Sequence, residues 1–597
     1  MPKNIRLKNL RGSAVAATLS ALALAACHSS DPSSGAPGGG SRSNAPARCT
    51  NFAPDDFVTR NDLAPGSRRS DAQLMLRFLQ FTDDHIIDDE GQAINGAGFL
   101  DPLLPTFESA MRLQQEYSDE VLNDMIRGVN DCHAQYPAEF MIVTGDSADL
   151  TTLAETRRFI DNLDGTFDRL SAFEKRCSEG LPEGLVAATC TRFTGRGVAD
   201  TQSVDPNPDD PTYQLLATRT VRQILDATTA SLTGRAADGS VDPTRQTTTR
   251  APGMPEVLRC HAGDAGCIND KLAMPWMVAF GNHDGYVRGT LALPQDVLNA
   301  ALFVAGRRYL ANQHEFIDEF FETDALPGPV GHGFQHADMA RRLDDDLRND
   351  GYYAFDAAGG RFRMIVMNTI IDGHDSRIPG NLLLNPFALS DGSIDAAQFA
   401  WIQAELASAS ARHQLVMVFS HHPDLTFAEF GMFAPLVPIE VTAAQLNAEL
   451  ASHPNVIAWV AGHTHVHRIR PFKVEDGIGS NGSIEVPVDC KGPGACTGFW
   501  QIESASLIDF PQEQRLIEVF DNGNGSGTIR APVLTHRLEG PRRLAESDDR
   551  CAFYLTDPAA VAAAITEANL GALCAQGGVR VGTATDRNVD LMFNMPD

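Results

Sequence analysis

The chain has 597 residues, of which 43% are hydrophobic, and a formal net charge of −29 at pH 7. This length is beyond what one small core supports, so we expect one large elaborated domain or two domains. So negative a chain would repel nucleic acid, and the sequence contains no evident basic groove, so no nucleic-acid partner is expected.

The first 26 residues are typical of a bacterial export signal. A basic segment is followed by a short apolar stretch, Ala14–Ala26. This stretch is shorter than the roughly 20 apolar residues that a membrane-spanning helix requires. We expect the leader to be removed, which gives the mature chain a charge of −29 − 4 = −33. The four cations lost with it are Lys3, Arg6, Lys8 and Arg11.

The leader ends in Leu24-Ala25-Ala26-Cys27, which resembles a bacterial lipobox. The resemblance implies cleavage before Cys27 and attachment of lipid to this cysteine. Because His28 rather than Asp follows, it also implies the outer membrane, with the protein facing the periplasm or the cell surface. The alternative is an ordinary signal peptide with a coincidental cysteine. Residues 27–48, rich in Ser, Gly and Pro, are predicted to form a flexible tether.

The chain contains 11 cysteines, and setting Cys27 aside leaves an even number. In an exported chain this indicates disulfide bonds formed in an oxidising compartment. Local pairs are the simplest assignment, particularly Cys260–Cys267 and Cys490–Cys496, although the sequence does not fix the connectivity. A cysteine zinc site is the rival interpretation, but the chain has no Cys-x-x-Cys spacing.

Predicted strands alternate with predicted helices, which is typical of a layered α/β domain. Five apolar runs indicate buried strands: Leu74–Phe81, Phe140–Thr144, Trp276–Phe280, Leu415–Phe419 and Val456–Val460. Helices are predicted at Phe107–Arg127, Leu150–Leu170, Pro294–Thr323 and Ala396–Ser408. Further strands are predicted at Gly351–Phe355, Phe362–Asn368, Gly498–Ser506 and Arg515–Asp521.

We assign residues 49–540 to one domain. Within it, residues 177–267 are rich in Thr, Asp, Pro and Gly and form a predicted insertion. The insertion is either a lid or substrate-selecting wall beside the site, or surface decoration without a functional role. Residues 541–597 are predicted to be a C-terminal extension clipped by a disulfide between Cys551 and Cys574.

Five short polar motifs follow the five apolar runs directly or within one or two residues. Because the carboxyl ends of strands in α/β sheets build sites together, we expect the motifs to converge. A single histidine at a strand end is more often structural than a ligand. The set, however, offers imidazole, carboxylate and amide donors and no thiolate, which suits two hard-to-borderline cations. The motifs are Asp83-Asp84-His85, Gly145-Asp146-Ser147-Ala148-Asp149, Gly281-Asn282-His283-Asp284, Ser420-His421-His422-Pro423 and Gly462-His463-Thr464-His465.

In this order the motifs resemble those of the calcineurin-like metallophosphoesterases. The family pattern is Asp-x-His, Gly-Asp-x-x, Gly-Asn-His-Asp/Glu, a histidine after a hydrophobic strand, and Gly-His-x-His, and all five parts occur here. The resemblance covers roughly residues 70–540. It implies a four-layer α/β/β/α sandwich with insertions and a C-terminal extension. The runs Phe499–Glu503, Asp509–Gln512 and Arg515–Glu518 further resemble a subgroup of large bacterial members.

The resemblance implies a phosphoesterase with two divalent metal ions, such as Mn, Fe or Zn, and a small phosphoester substrate. One ion would be held by Asp83, His85, Asp146 and His465. The other would share Asp146 and be completed by Asn282, His421 and His463. A hydroxide bridging the two ions would attack the phosphorus of a monoester or diester.

Other residues receive implied roles beside the ligands. His283 would bind the phosphate and protonate the leaving oxygen, and Asp284 would orient its imidazole. His421 is chosen as the ligand because it stands two residues before Pro, which leaves His422 as a neighbour that contacts substrate. Asp149 occupies the position of the tyrosine ligand of purple acid phosphatases, so a purple iron site is not expected. Asp149 is expected behind the ligands, and Asp84 is interpreted as a loop carboxylate.

Two alternatives belong to other functional classes. One is a cell-surface binding protein that retains the fold without catalysis, but that hypothesis predicts loss of ligands or of His283, and none is lost. The other is a nuclease, which conflicts with the negative charge of the chain.

Overall fold

The computed structural model describes residues 56–86, 118–149, 151–164, 271–285, 313–322, 328–337, 351–370, 391–427, 440–475, 498–536 and 579–596, with a few shorter pieces between them. All of these residues belong to one compact unit, which comprises residues 46–545 and 579–597. Within them, no helix has the length and apolar character needed to cross a membrane. The leader, the tether and the insertion at 177–267 lie outside the described residues.

The described segments contain fifteen strands. They are β1 Val58–Arg60, β2 Gln73–Phe81, β3 Phe140–Val143, β4 Trp276–Val278, β5 Tyr353–Ala357, β6 Phe362–Val366, β7 Leu415–Phe419, β8 Val456–Ala461, β9 Arg468–Glu475, β10 Ile478–Gly479, β11 Gly498–Glu503, β12 Glu513–Asp521, β13 Ser526–Ala531, β14 Val533–Thr535 and β15 Val589–Asn594. The helices of these segments are α1 Ser118–Gln135, α2 Leu153–Asp164, α3 Asn282–Gly285, α4 Gln313–Glu319, α5 Ala396–Ala411 and α6 Ala443–Ala451.

The strands form two sheets. The first has the order β1-β15-β13-β12-β2-β3-β4, with β14 paired to β12, and the second has the order β10-β9-β11-β8-β7-β6-β5. In each sheet the strands that precede the motifs run parallel: β2, β3 and β4 in the first, and β7 and β8 in the second. All five apolar runs predicted as strands contain strands in the structure. Each strand is buried along most of its length, as its apolar sequence predicts.

The two sheets pack face to face, and helices cover their outer faces. Between the sheets, the ring of Phe78 on β2 contacts that of Phe419 on β7 with centroids 5.7 Å apart. On the outer face of the second sheet, α5 and α6 bury Ile402 and Leu446 against residues such as Trp459. Helices α1 and α2 join the core of the first sheet. The predicted four-layer α/β/β/α sandwich is therefore confirmed.

The C-terminal residues differ from the predicted extension. Residues 541–597 were assigned to an extension outside the domain, whereas Val589–Asn594 form β15, an inner strand of the first sheet. It pairs in parallel with β1 and antiparallel with β13. Leu591 is fully buried there. The Ala-rich helix and the cysteines of the extension lie outside the described residues. Of the ten cysteines that follow Cys27, Cys132 on α1 lies in the described part of the chain, and it forms a disulfide bond.

Candidate metal centre

The five polar motifs meet where strands of the two sheets end. Three motifs follow β2, β3 and β4 of the first sheet, and two follow β7 and β8 of the second. The loops extend the pairing of the strands. The His85 amide donates to the Asp146 carbonyl at 2.9 Å, and the Gly462 amide donates to the His421 carbonyl at 3.0 Å. The motifs therefore converge as the order of the strands predicts.

Five of the predicted metal ligands have a left-handed backbone. Their φ angles are 55° for Asp83, 44° for His85, 54° for Asp146, 69° for His463 and 55° for His465. Non-glycine residues rarely adopt this conformation because Cβ then crowds the following carbonyl oxygen. Such strain costs on the order of 1–3 kcal/mol per residue and concentrates at functional sites. The loops thus hold these side chains where a site requires them.

Glycines let one motif loop pack directly on another. A Cβ on Gly462 would lie 1.9 Å from Thr82 Oγ1 and 2.6 Å from Asp83 Oδ2. A Cβ on Gly281 would lie 2.2 Å from the amide nitrogen of Asp146. These distances are well inside van der Waals contact, so only glycine fits at either position. The fifth motif is therefore in contact with the first, and the third with the second.

One group of donor atoms consists of the predicted ligands of the first ion: Asp83, His85, Asp146 and His465. Their ligand atoms all lie within 4.8 Å of one another. His465 Nε2 is 3.1 Å from Asp83 Oδ1 and 3.3 Å from His85 Nε2. His85 Nε2 is 3.6 Å from Asp146 Oδ2. The structure thus brings these four side chains together around one point.

The predicted ligands of the second ion form an adjoining group. His421 Nε2 lies 2.7 Å from Asn282 Oδ1 and 3.2 Å from His463 Nδ1. It is also 3.1 Å from Asp146 Oδ2, the same oxygen that faces His85 in the first group. The amide nitrogen of the Asn282 side chain donates to the Gly289 carbonyl at 3.0 Å, which turns its oxygen toward the histidines. Asp146 Oδ2 is therefore shared by both groups.

The hydrogen-bond partners of the histidines leave their Nε2 atoms facing the donor groups. His421 Nδ1 donates to the Thr144 carbonyl at 2.8 Å, so Nε2 of the neutral ring carries no hydrogen. Nδ1 of His85 and Nδ1 of His465 face the carboxylates of Asp149 and Asp509 at 3.0 and 2.6 Å. Nδ1 of each ring thus has an acceptor, and the two Nε2 atoms face each other 3.3 Å apart. When both rings are neutral, these Nε2 atoms present lone pairs that a cation between them can bind.

A buried carboxylate oxygen supports the same interpretation. Asp83 Oδ2 accepts hydrogen bonds from Thr82 Oγ1 and from the His463 amide, at 2.7 and 3.0 Å. Asp83 Oδ1 is buried and accepts no hydrogen bond from the described part of the chain. Ligands bound about 2.1 Å from one cation stand about 3.0–3.4 Å apart, which matches most of the spacings within the two groups. The donor set therefore fits two divalent cations.

The electrostatics of the groups favour bound positive charge. Burial lowers the pKa of His421, but the Asp146 and Asp83 carboxylates more than offset burial and raise it to about 9. Burial likewise lowers the pKa of His465, and Asp83 and Asp509 raise it to about 9. Burial and the neighbouring His421 hold the pKa of His463 well below its usual range, so this ring is neutral, as a ligand must be.

The imidazole of His283 is held beside the two groups. Its Nδ1 donates to the Asp149 carbonyl at 2.8 Å, and its ring packs on His85 with centroids 4.4 Å apart. With Nδ1 engaged, proton transfer to a substrate would use Nε2. A side chain at Gly289 would lie 2.4 Å from this Nε2, so the glycine leaves the atom room.

The predicted role of Asp284 as the residue that orients His283 is wrong. Its carboxylate accepts hydrogen bonds from backbone amides instead: Gly281 at 2.9 Å, Asp146 at 3.0 Å, Ser147 at 2.8 Å and Ala148 at 3.1 Å. Four amides around one carboxylate fix the turn that carries Asp146. Asp284 therefore shapes the loop of the shared ligand, and the backbone of Asp149 orients His283.

Two neighbours of the ligands are more buried than the sequence suggested. His422 is fully buried, and its ring lies 4.2 Å from that of His463 and 4.9 Å from that of His421. Its Nδ1 is 2.8 Å from Thr369 Oγ1. Asp84, interpreted as a loop carboxylate, is only 2% exposed, and burial and Asp83 raise its pKa well above the usual value.

Comparison with known proteins gives similarities of limited extent. No protein-family profile matches the chain. A manganese-dependent ADP-ribose/CDP-alcohol diphosphatase from Xenopus laevis is 32% identical over 97 residues, which are 16% of this chain and 25% of that protein. The chain thus matches a quarter of the length of this relative.

Two solved structures are similar to the chain at low TM-scores. A dimetal phosphatase from Danio rerio has a TM-score of 0.32 and 12% identity, and the match covers 78% of this chain and 100% of that one. Purple acid phosphatase PPD1 from yellow lupin seeds has a TM-score of 0.30 and 11% identity, with coverages of 78% and 52%.

The two adjoining donor groups that share Asp146, reached from five ordered motifs, agree with the resemblance that the sequence shows to the calcineurin-like metallophosphoesterases. All seven predicted ligands lie in the two groups. Their individual roles as ligands stay predictions.

Sequence reasoning missed the contact of Asp509 with His465, in which Oδ2 lies 2.6 Å from Nδ1. Asp509 follows β11 and pairs with His465, yet it lies outside the five motifs of the family pattern. The signal available in the sequence was the run Asp509–Gln512, which resembles a subgroup of the family but carries no recognised ligand spacing. Asp149 Oδ1 lies 3.0 Å from His85 Nδ1, and its place behind the ligands stays a prediction.

Proposed function

We propose that the chain is a dinuclear metal-dependent phosphoesterase that hydrolyses small phosphate monoesters or diesters. The observation that carries this proposal is the position of Asp146 Oδ2. It lies 3.6 Å from His85 Nε2 of the first group and 3.1 Å from His421 Nε2 of the second. One carboxylate between two sets of imidazole, carboxylate and amide donors is what a pair of neighbouring cations requires.

Different residues of the chain would bind the metal ions, transfer the proton and contact the substrate. Two bound cations would supply the charge that makes water acidic and neutralises phosphate oxygens. Asp83, Asp146 and the four ligand histidines would fix their positions, and the amide oxygen of Asn282 completes the second group. His283 Nε2 is placed to give a proton to the leaving oxygen. His422, packed on His463, is the neighbour proposed to contact substrate.

We propose Mn²⁺ as the first metal to test and nucleotide diphosphate derivatives as the first natural substrates. The support is the name of the Xenopus laevis relative, a manganese-dependent diphosphatase that matches a segment of this chain. Both a monoester and a diester would use the same ligands, so the pocket around them selects the substrate.

The test is hydrolysis of p-nitrophenyl phosphate and bis(p-nitrophenyl) phosphate by protein stripped with a chelator and reloaded with Mn²⁺. We expect turnover that chelator abolishes and metal restores. Asp146→Asn should lose both turnover and paired metal binding, because the shared oxygen is replaced by an amide. Asp521→Asn, a matched change at the far end of β12, should behave like the wild type.

Two results would overturn the proposal. Absence of turnover on every phosphoester by protein shown to hold metal would favour a cell-surface binding protein. Cleavage of DNA at low salt by the wild type, lost in Asp146→Asn, would favour a nuclease in spite of the charge of the chain.

We further propose that the chain is exported and anchored to the outer membrane through lipid on Cys27. The lipobox-like end of the leader supports this proposal, and the disulfide bond of Cys132 is compatible with an oxidising compartment. Expression in a Gram-negative host should place the protein in the membrane fraction, and Cys27→Ser should release it. Membrane association that is unchanged by Cys27→Ser would contradict the anchor.

A further inference from the structure

We propose that Ser506–Asp509 is a sixth element of the metal centre and that Asp509 is a positioning residue for His465. In this proposal Arg580, from the C-terminal segment, holds Asp509 in place. The inference rests on the proposed metal-dependent function, because it concerns the residues behind a metal ligand. It assigns a role to a segment that the five motifs do not include.

The segment first fixes the strained loop of the first motif. The Leu507 amide donates to the Thr82 carbonyl at 3.1 Å, and the Ile508 amide donates to the Asp83 carbonyl at 3.3 Å. The Ser506 hydroxyl also donates to the Asp83 carbonyl at 2.9 Å. Asp83 lies beyond the end of β2 and has a left-handed backbone with φ of 55°, and a buried carbonyl there needs a hydrogen-bond donor. Ser506–Asp509 supplies the donors that this carbonyl requires.

The same segment then fixes the fifth motif through Asp509. Asp509 Oδ2 lies 2.6 Å from His465 Nδ1, and the carboxylate is 2% exposed. A carboxylate at Nδ1 accepts a hydrogen bond from the ring N–H, fixes the orientation of the ring and makes Nε2 more basic. Nε2 of His465 is the atom that faces Asp83 Oδ1 at 3.1 Å. Asp509 thus orients the ring of His465 so that Nε2 faces the first donor group.

Asp509 is itself held by a cation from a distant part of the chain. Arg580 Nη1 lies 2.7 Å from Asp509 Oδ2, the same oxygen that faces His465. The backbone of Arg580 is also attached beside the fifth motif, because the His467 amide donates to the Arg580 carbonyl at 3.0 Å. A buried carboxylate is costly unless it is paired, and Arg580 together with His465 pairs it. The C-terminal segment therefore contributes to the metal centre as well as to the first sheet.

Histidine support differs between the two donor groups. In the second group, His421 Nδ1 donates a hydrogen bond to the Thr144 carbonyl, which is uncharged. In the first group, Nδ1 of each histidine instead faces a carboxylate. The carboxylate is that of Asp149 for His85 and that of Asp509 for His465. Loss of the Asp509 charge should therefore weaken the first metal site and leave the second largely intact.

The experiment measures Mn²⁺ binding to the full chain by competition with a chromophoric chelator, together with the temperature of thermal unfolding. Asp509→Asn should weaken one of two Mn²⁺ binding steps by about 10–100-fold, the usual effect of removing a residue behind a metal ligand. Arg580→Gln should weaken the same step by a smaller factor, because the Asp509 carboxylate remains. The matched control is Asp590→Asn, which removes a carboxylate paired with Arg530 at 2.7 Å on β15, away from the site.

The outcomes separate this inference from the proposed function. If Asp509→Asn lowers thermal stability as Asp590→Asn does but binds both Mn²⁺ ions like the wild type, Asp509 is merely structural and the inference is wrong. If Asp509→Asn fails to fold, an unchanged binding isotherm for Arg580→Gln would overturn the inference by itself. If the wild type binds no Mn²⁺, the proposed function fails before the role of Asp509 is tested.

Discussion

At the scale of single residues, the site depends on which atom each side chain turns toward its neighbours. His421, His85 and His465 engage Nδ1 with a carbonyl or carboxylate, so that Nε2 faces the group of donors. These choices could not be read from the sequence, because the partners lie far away along the chain. The ligand roles stay predictions, whereas Asp284, which the family resemblance assigned to His283, accepts hydrogen bonds from backbone amides instead. Adjacent residues on a helical turn point in different directions.

His283→Ala tests the proposed general acid. Metal content should stay near that of the wild type, because His283 is not a predicted ligand. Hydrolysis of esters with poor leaving groups should slow by about 10²–10⁴-fold, since these need a proton most. Esters with good leaving groups, such as p-nitrophenol, should slow much less. Equal slowing across a leaving-group series would show that His283 has another role.

Asp284→Ala tests the corrected role of Asp284. Four backbone amides, those of Asp146, Ser147, Ala148 and Gly281, would lose their acceptor, and hydrogen bonds to a charged group are worth about 1.5–3 kcal/mol each. We expect a loss of at least about 3 kcal/mol in the free energy of unfolding, with loss of metal binding. Urea unfolding and metal analysis measure these quantities. A variant with normal stability and metal content, slowed only in catalysis, would restore the original assignment.

At the scale of elements, the strands were predictable and the contacts between loops were not. The apolar runs before the five motifs are buried strands because apolar side chains dominate them, and this shows in the sequence. The close packing of Gly462 on Thr82 joins two sheets, and Ser506–Asp509 joins the first motif to the fifth. Such contacts depend on the fold as a whole.

Gly462→Ala tests the packing of the fifth motif on the first. The new Cβ would lie 1.9 Å from Thr82 Oγ1, so the loop of Asp83 must move. Overpacking of this kind costs about 1–3 kcal/mol, and we expect weaker Mn²⁺ binding with it. The control is Gly128→Ala in the middle of α1, where a Cβ meets nothing within 4 Å. That change should stabilise the protein by up to about 1 kcal/mol. Unchanged metal affinity in Gly462→Ala would contradict the account of this contact.

At the scale of the whole molecule, the C-terminal residues belong to the core. The segment Val589–Asn594 was assigned to an extension, since a single short strand after a long stretch without a motif carries no signal of its partners. Its place between β1 and β13 is decided by pairing with residues far away in the sequence. The expectation that nucleic acid is not a partner stays a prediction from the charge of the chain.

Leu591→Ala tests the position of β15. Leu591 is fully buried in the first sheet, so truncation should lower the free energy of unfolding by about 2–5 kcal/mol. Leu74→Ala is the matched control, because Leu74 on β2 of the same sheet is 41% exposed and its truncation should change stability by about 0.5 kcal/mol or less. Urea unfolding of both variants gives the comparison. Equal, small effects would place β15 outside the core.

The most direct test of the metal centre is an anomalous-scattering experiment on crystals of the protein loaded with Mn²⁺. Two anomalous peaks are expected, about 3.5–4 Å apart, on either side of Asp146 Oδ2. One should be surrounded by Asp83, His85 and His465, and the other by Asn282, His421 and His463. A single peak, or two peaks too distant to share Asp146, would contradict the dinuclear site.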